Sequence, residues 1–155
     1  MSKLTIILLL LLISCIKTVD GDLSKEELID LKQNIFYHGD KYSFSRLIAY
    51  YSDRDNYYEL LPYSFIMADK YKNGDGYFQV YYDLIKINNN GRYATNLIVN
   101  LNQDNIEFVL SNLEKGAKLN DTDCKVFLAK HYKNGFGIIK NEKIADSLMN
   151  SIEYN

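Results

Sequence analysis

Apolar residues return at helical spacing along most of the chain beyond residue 23. Leu28, Leu31 and Ile35 recur behind Ser24, and Glu27 stands three residues after that serine, so the pattern predicts a capped helix from about Lys25 to Tyr37. Phe44, Leu47, Ile48 and Tyr51 form a second stripe, with Tyr50 just beside it. The stretch "DRDNYYELLPY" interrupts the period. Pro62 has no amide hydrogen and is therefore expected in the first turn of a helix that runs to about Lys72. Gly74 and Gly76 are expected to end that helix, a helix from about Tyr77 to Ile87 follows, and "NNNG" at 88–91 reads as a turn. "RYATNLIVNL" carries Ile98 and Val99, which favour strands, but a lone strand would have no partner, so it is read as helix. Three stripes close the chain: Ile106, Val109, Leu110 and Leu113, then Cys124, Phe127 and Leu128, then Ile144, Ala145, Leu148 and Ile152. Loops of five or six residues between such helices make antiparallel hairpins, and the pattern as a whole predicts an all-α fold.

One string is written twice. Tyr-Lys-Asn-Gly-x-Gly begins at Tyr71 and again at Tyr132. Glycine just past a helix lets the chain reverse through a left-handed conformation that costs other residues about 1 to 2 kcal/mol. Both copies are accordingly read as a device that stops a helix and turns the chain. Around the second copy the sequence resembles a Sel1-like repeat, a relative of the tetratricopeptide repeat. Cys124 takes that family's small position, Leu128 and Ala129 the Leu-Gly position, and Tyr132 the tyrosine. Gly135, Phe136, Gly137 and Ile138 take the Gly-x-Gly-Val loop, Asn141 the aspartate, Ile144 and Ala145 the Lys-Ala position and Leu148 the aromatic. A half-match runs from Met67 and Ala68 through Tyr71 to Gly76. The resemblance implies antiparallel helix hairpins stacked as a short α-solenoid of about three units, burying a continuous core between neighbours.

The N-terminus changes the picture. "MSKLTIILLLLLISC" has Lys3 as a short positive region and an apolar run from Leu4 to Ile13, the form of a secretory signal. That run is too short for a bilayer core of about 30 Å, which takes about 20 residues. Leu12, Ile13, Ser14 and Cys15 resemble the lipobox of bacterial lipoproteins, which implies a lipid-modified Cys15 after cleavage. Several acyl chains at about 0.8 kcal/mol per buried methylene make a lasting anchor. Residues 1–14 are thus expected as the signal peptide, 15–23 as lipidated cysteine and tether, and 24–153 as the helical domain. In a Gram-negative cell the lipoprotein resemblance further implies sorting to the outer membrane, because Ile16 rather than aspartate follows the cysteine. With Cys15 lipidated, Cys124 has no internal disulfide partner.

Composition narrows the chemistry. A net charge of -2 over 155 residues gives no electrostatic case for nucleic acid, and no basic arm is present. "DKYKNGDGYFQV" superficially resembles a calcium loop, but Tyr71 holds the third position and Val80 the twelfth. His38 and His131 have no framing nucleophile or carboxylate motif, and His131 reads as a surface cation in a helix's last turn. Cys124 lies on an apolar stripe and reads as helix packing. No metal or other cofactor is expected.

The chain has 14 tyrosines and no tryptophan. Tyr50 and Tyr51, Tyr57 and Tyr58, and Tyr81 and Tyr82 are adjacent pairs, and helical neighbours point about 100° apart, so both rings cannot face one core. Tyr50, Tyr57, Tyr58, Tyr81 and Tyr82 are the candidate partner-binding residues. The resemblance implies an adaptor or inhibitor rather than an enzyme, and in its most specific form an immunity protein at the membrane that neutralises a secreted toxin. The alternative is a cell-wall enzyme or glycan-binding module, for which no paired-carboxylate or nucleophile signature is present.

Overall fold

The computed structural model describes residues 23–152, and among these every regular element is helical. In chain order they are α1 (Lys25–His38), α2 (Lys41–Ser52), α3 (Tyr57–Phe65) with a π-helical turn Ile66–Lys70, α4 (Gly74–Asn88), a 3₁₀ turn Thr95–Asn100, α5 (Gln103–Lys118), α6 (Thr122–Asn134) and α7 (Glu142–Asn150). The expected signal, Cys15 and most of the tether lie outside the described residues. No helix among the described residues is long and apolar enough to cross a membrane.

Short polar side chains start most of these helices, because their oxygens satisfy amides that have no partner in the first turn. Ser24 accepts from the Glu27 amide at 3.1 Å while the Glu27 carboxylate takes the Ser24 amide at 2.9 Å, the reciprocal box expected there. Asp40, Asn73, Asn102, Asp121 and Asn141 cap α2, α4, α5, α6 and α7 in the same way. Only α3 starts without a side-chain cap. Its inner face holds it instead, through buried Tyr57, Leu60 and Ser64.

That anchorage explains the displaced proline. Pro62 sits in the middle of α3 rather than in its first turn. The helix starts early because Tyr57 and Leu60 are core residues, and Pro62 lies on its exposed side, where a missing backbone hydrogen bond costs least.

The two copies of Tyr-Lys-Asn-Gly-x-Gly do different work. At the second, Gly135 (φ 73°) closes α6 in the left-handed conformation, as expected. At the first, Lys72 makes the reversal at φ 50°, Asn73 caps α4 by accepting from the Gly76 amide at 2.9 Å, and both glycines lie inside the first turn of α4. Gly74 and Gly76 are needed for closeness instead. A Cβ on Gly76 would stand 2.5 Å from the Ala68 nitrogen, and one on Gly74 2.5 Å from Asp121 Cβ. The expected helix end at Gly74 is thus a helix beginning. "RYATNLIVNL" is helical only as a 3₁₀ turn, which drops Ile98 into the core.

Consecutive helices pack on one another from α1 to α7, and α4 additionally meets α6, the π turn and the 3₁₀ turn. Buried side chains fall into two clusters. Ile35, Phe44, Leu47, Tyr51, Leu60 and Met67 fill the first, between α1, α2 and α3. The second is larger and surrounds α4, with Tyr77, Val80, Tyr81 and Ile85 facing Ile98, Val109, Leu113 and Leu128. Met67 belongs to one cluster and Ala68 to the other, so the π turn is where the two cores meet.

The tightest approach is between α5 and α6. A Cβ on Gly116 would overlap Cys124 Sγ and stand 3.0 Å from its Cβ. Gly116→Ala is therefore expected to lower stability by about 1 to 3 kcal/mol through overpacking, outweighing the roughly 1 kcal/mol that alanine gains over glycine in a helix. Adding Cys124→Ala should restore much of the loss. A urea titration in which Gly116→Ala is more stable than the parent, or in which the second change restores nothing, contradicts this account.

Candidate functional site

The tyrosine pairs divide between inside and outside. Tyr57 and Tyr81 are buried, Tyr50 and Tyr82 are half-buried, and Tyr58 is 70% exposed. Tyr51, the partner of Tyr50, is buried as well. In each pair one ring is buried, the consequence of 100° between successive residues, while Tyr58 turns outward and Tyr50 and Tyr82 lie half-buried against the core. The rings of Tyr57 and Tyr81 therefore lie almost wholly beneath the surface. The accessible phenols among the five are Tyr58 and the edges of Tyr50 and Tyr82.

Tyr57 works from below. Lys86 Nζ donates to its hydroxyl, which donates in turn to Asp55 Oδ1 at 2.9 Å. The same ammonium stands 4.3 Å from the Tyr57 ring centroid and 5.2 Å from that of Tyr82. Lys86 thus ties α3 to the end of α4 and places a cation between two phenol rings. Tyr57, Tyr58, Lys86, Asn90, Gly91 and Arg92 line one open cleft. Nearby, the Arg54 guanidinium stacks 3.9 Å from the Tyr50 ring and donates to the Tyr50 carbonyl at 2.9 Å. The sequence pattern singled out the tyrosines and missed the cations among them. Lys86 lies four residues after Tyr82, one helical turn on, and that spacing was the available signal.

Tyr81 ends in a buried chain of hydrogen bonds. His131 is fully buried, so its reading as a surface cation is overturned. Its Nδ1 lies 2.8 Å from the Phe136 carbonyl, which can only accept, so Nδ1 carries the hydrogen. Burial lowers the pKa of the ring and so favours its neutral form, in which Nε2 is an acceptor. The Tyr81 hydroxyl, 2.9 Å away, donates to it and accepts from the Tyr93 hydroxyl at 3.2 Å. Phe78, Tyr82 and Phe127 pack around this chain with ring centroids 4.5 to 6.1 Å apart. Both ring nitrogens of the histidine are thus engaged by neighbouring groups.

Asp83 is the second buried titratable group. It is fully inaccessible on α4 and accepts from Ser64 Oγ at 3.0 Å and from Gln79 Nε2 at 2.7 Å. Burial raises its pKa to about 7, against the opposing pull of those two hydrogen bonds and of Lys86. Ser64 has a second acceptor in the Leu60 carbonyl at 3.4 Å, so its hydroxyl can turn away when the carboxyl is protonated. Cys124 is equally withdrawn. Burial pushes its thiol pKa up, and its sulfur rests 3.8 Å from the Gly74 carbonyl. Among the described residues no group of three histidine, cysteine, aspartate or glutamate side chains is placed to hold a metal ion. No family model, curated protein or solved structure matches this chain.

The raised pKa of Asp83 has a definite sign. Between the unfolded value near 3.8 and the folded value of about 7, the folded chain binds more protons than the unfolded one, so this group's contribution to stability falls as pH rises. His131 acts in the opposite sense over part of the same range, so a comparison with Asp83→Asn isolates the carboxyl. The asparagine keeps an acceptor for Ser64 and never charges. Its Tm advantage over the parent is expected to widen from about pH 5 to pH 8. A difference that stays constant across that range would show that Asp83 ionises freely.

Proposed function

We propose that this chain is a lipid-anchored envelope protein whose helical domain, a short solenoid of stacked hairpins, holds another protein and performs no catalysis of its own. The partner is an incoming secreted toxin or a component of an envelope complex, and in the first case the chain is an immunity protein. The observation that carries this reading is Tyr58. It presents a 70% exposed phenol from a helix whose preceding residue, Tyr57, is locked to Lys86 and Asp55 beneath it.

A ring presented in this way loses little freedom on binding. Tyrosine offers a large contact area on two side-chain torsions, and a base already held rigid reduces the ordering cost that association normally carries. Arg92 and Lys86 line the same cleft and give it hydrogen-bond donors that a partner's carbonyls or carboxylates can meet. Tyrosine and arginine are the side chains most often found where interface energy concentrates. The hairpin-by-hairpin packing of α1 to α7 supports the solenoid part of the reading, and the lipobox resemblance at Cys15 supports the anchor.

A photocrosslinking side chain in place of Tyr58 is expected to capture one partner in intact cells, and the same group at exposed Ile139 is not. Tyr58→Ala should weaken that partner's binding by about 1 to 2 kcal/mol, roughly 5- to 30-fold, with helicity and Tm unchanged. Cys15→Ala should release the chain from membranes. Undiminished binding by Tyr58→Ala would remove the tyrosine face from the account, and membrane retention of Cys15→Ala would remove the anchor.

A further inference from the structure

The outward side of α1 carries an apolar strip. On a helix turning about 100° per residue, Lys25, Ile29 and Phe36 fall within roughly 40° of one another, about 100° round from the core-facing Leu28, Leu31 and Ile35. Ile29 is 53% exposed and Phe36 47%, while Leu31 and Ile35 are buried. An amphipathic helix of a globular domain has one apolar face. This helix has two.

The second face is held in place. Lys70 stands 4.9 Å over the Phe36 ring and donates to the Phe36 carbonyl at 2.6 Å, and the Tyr71 hydroxyl donates to the same carbonyl at 2.9 Å. Tyr37, itself 65% exposed, meets the Phe36 ring edge-on at 5.0 Å. The strip therefore combines two apolar side chains and two lysines, Lys25 and Lys70. Tyr37 stands on its flank together with Glu26 and Asp30, roughly 60 to 100° beyond Ile29.

We propose that this strip rests on the membrane that carries Cys15, with Ile29 and Phe36 turned toward the acyl chains and Lys25 and Lys70 level with the phosphates. The inference rests on the lipid anchor of the proposed function. Nine peptide steps separate Cys15 from Ser24, and they span at most about 30 Å. A domain of this size is roughly 36 Å across, so the tether is shorter than the body it holds, and α1 is the element at its end. A surface kept that near experiences an effective concentration on the order of millimolar, so a few apolar contacts suffice to seat it. Phenylalanine and isoleucine facing inward, tyrosine at the headgroups and lysines reaching back to phosphate is the arrangement of helices that lie in a membrane interface. Seated so, α1 fixes which way the rest of the domain faces.

The test uses the full lipidated chain in vesicles of phosphatidylethanolamine and phosphatidylglycerol. A polarity-sensitive fluorophore is attached at Ile29→Cys or, as control, at Ile139→Cys in the loop before α7. Buried Cys124 does not compete for the label, because its thiol is inaccessible and resists ionisation. Nitroxides on the lipid chains are expected to quench the label at position 29 several-fold more than at position 139. Phe36→Glu should abolish that excess without loss of helicity. Equal quenching at the two positions in membrane-bound protein overturns this inference and leaves the anchor standing. A chain that stays in solution with an unmodified Cys15 overturns both.

Discussion

A phenol buried among apolar side chains must find a partner for its hydroxyl, and the fold is arranged around the partner that Tyr81 finds. Its oxygen meets His131 at 2.9 Å across 50 residues of sequence, and the far nitrogen of that ring is held by the Phe136 carbonyl. An unpaired polar group in this position would cost about 1 to 3 kcal/mol. The contact therefore sets where α6 lies against α4 and how the loop after Gly135 folds back, since the Phe136 carbonyl must face inward. Tyr93 completes the chain from the segment before the 3₁₀ turn. One side chain in the middle of α4 thus fixes three separate parts of the molecule.

The same helix carries the other ties between distant elements. Asp83 reaches Ser64 on α3, and Lys86 reaches Tyr57 at the start of α3. Three polar side chains on α4, at 81, 83 and 86, face in different directions and each finds its acceptor or donor on another helix. A helix packed on several sides has no wholly polar face, so its polar groups must be satisfied by neighbours rather than by water. His131, Asp83 and Cys124 are accordingly buried with their polar atoms turned to neighbouring groups. Among the large apolar and aromatic side chains left exposed are Tyr58 on α3 and Phe36 and Tyr37 on α1.

Local signals were legible in the sequence and distant ones were not. Ser24 and Glu27 lie within one turn of each other, and their reciprocal cap appears as written. The stripes of α5 and α6 were readable because Val109, Leu113, Cys124 and Leu128 are buried at helical spacing. Gly74 and Pro62 differ from expectation because contacts distant in sequence decide. Gly74 can close a helix or open one, and closeness to Asp121 goes with the second, while burial of Tyr57 and Leu60 starts α3 early and leaves Pro62 inside it. His131 was misplaced because its partner Tyr81 lies 50 residues away, and no periodicity reports that. Gln79 and Asp83, one turn apart in a helix apolar on nearly every side, were a visible sign of a buried polar pair. The split of the tyrosine pairs followed from helix geometry alone. Which member faced in depended on the neighbouring helices.

The most direct measurement is nitrogen NMR of the His131 ring across a pH titration. The account predicts a hydrogen on Nδ1, a bare Nε2 accepting from Tyr81, and a ring that stays neutral through the pH near 6.5 at which an ordinary histidine charges. A ring that protonates at that ordinary pH, or that carries its hydrogen on Nε2, would contradict the buried chain on which the packing of α4 against α6 depends.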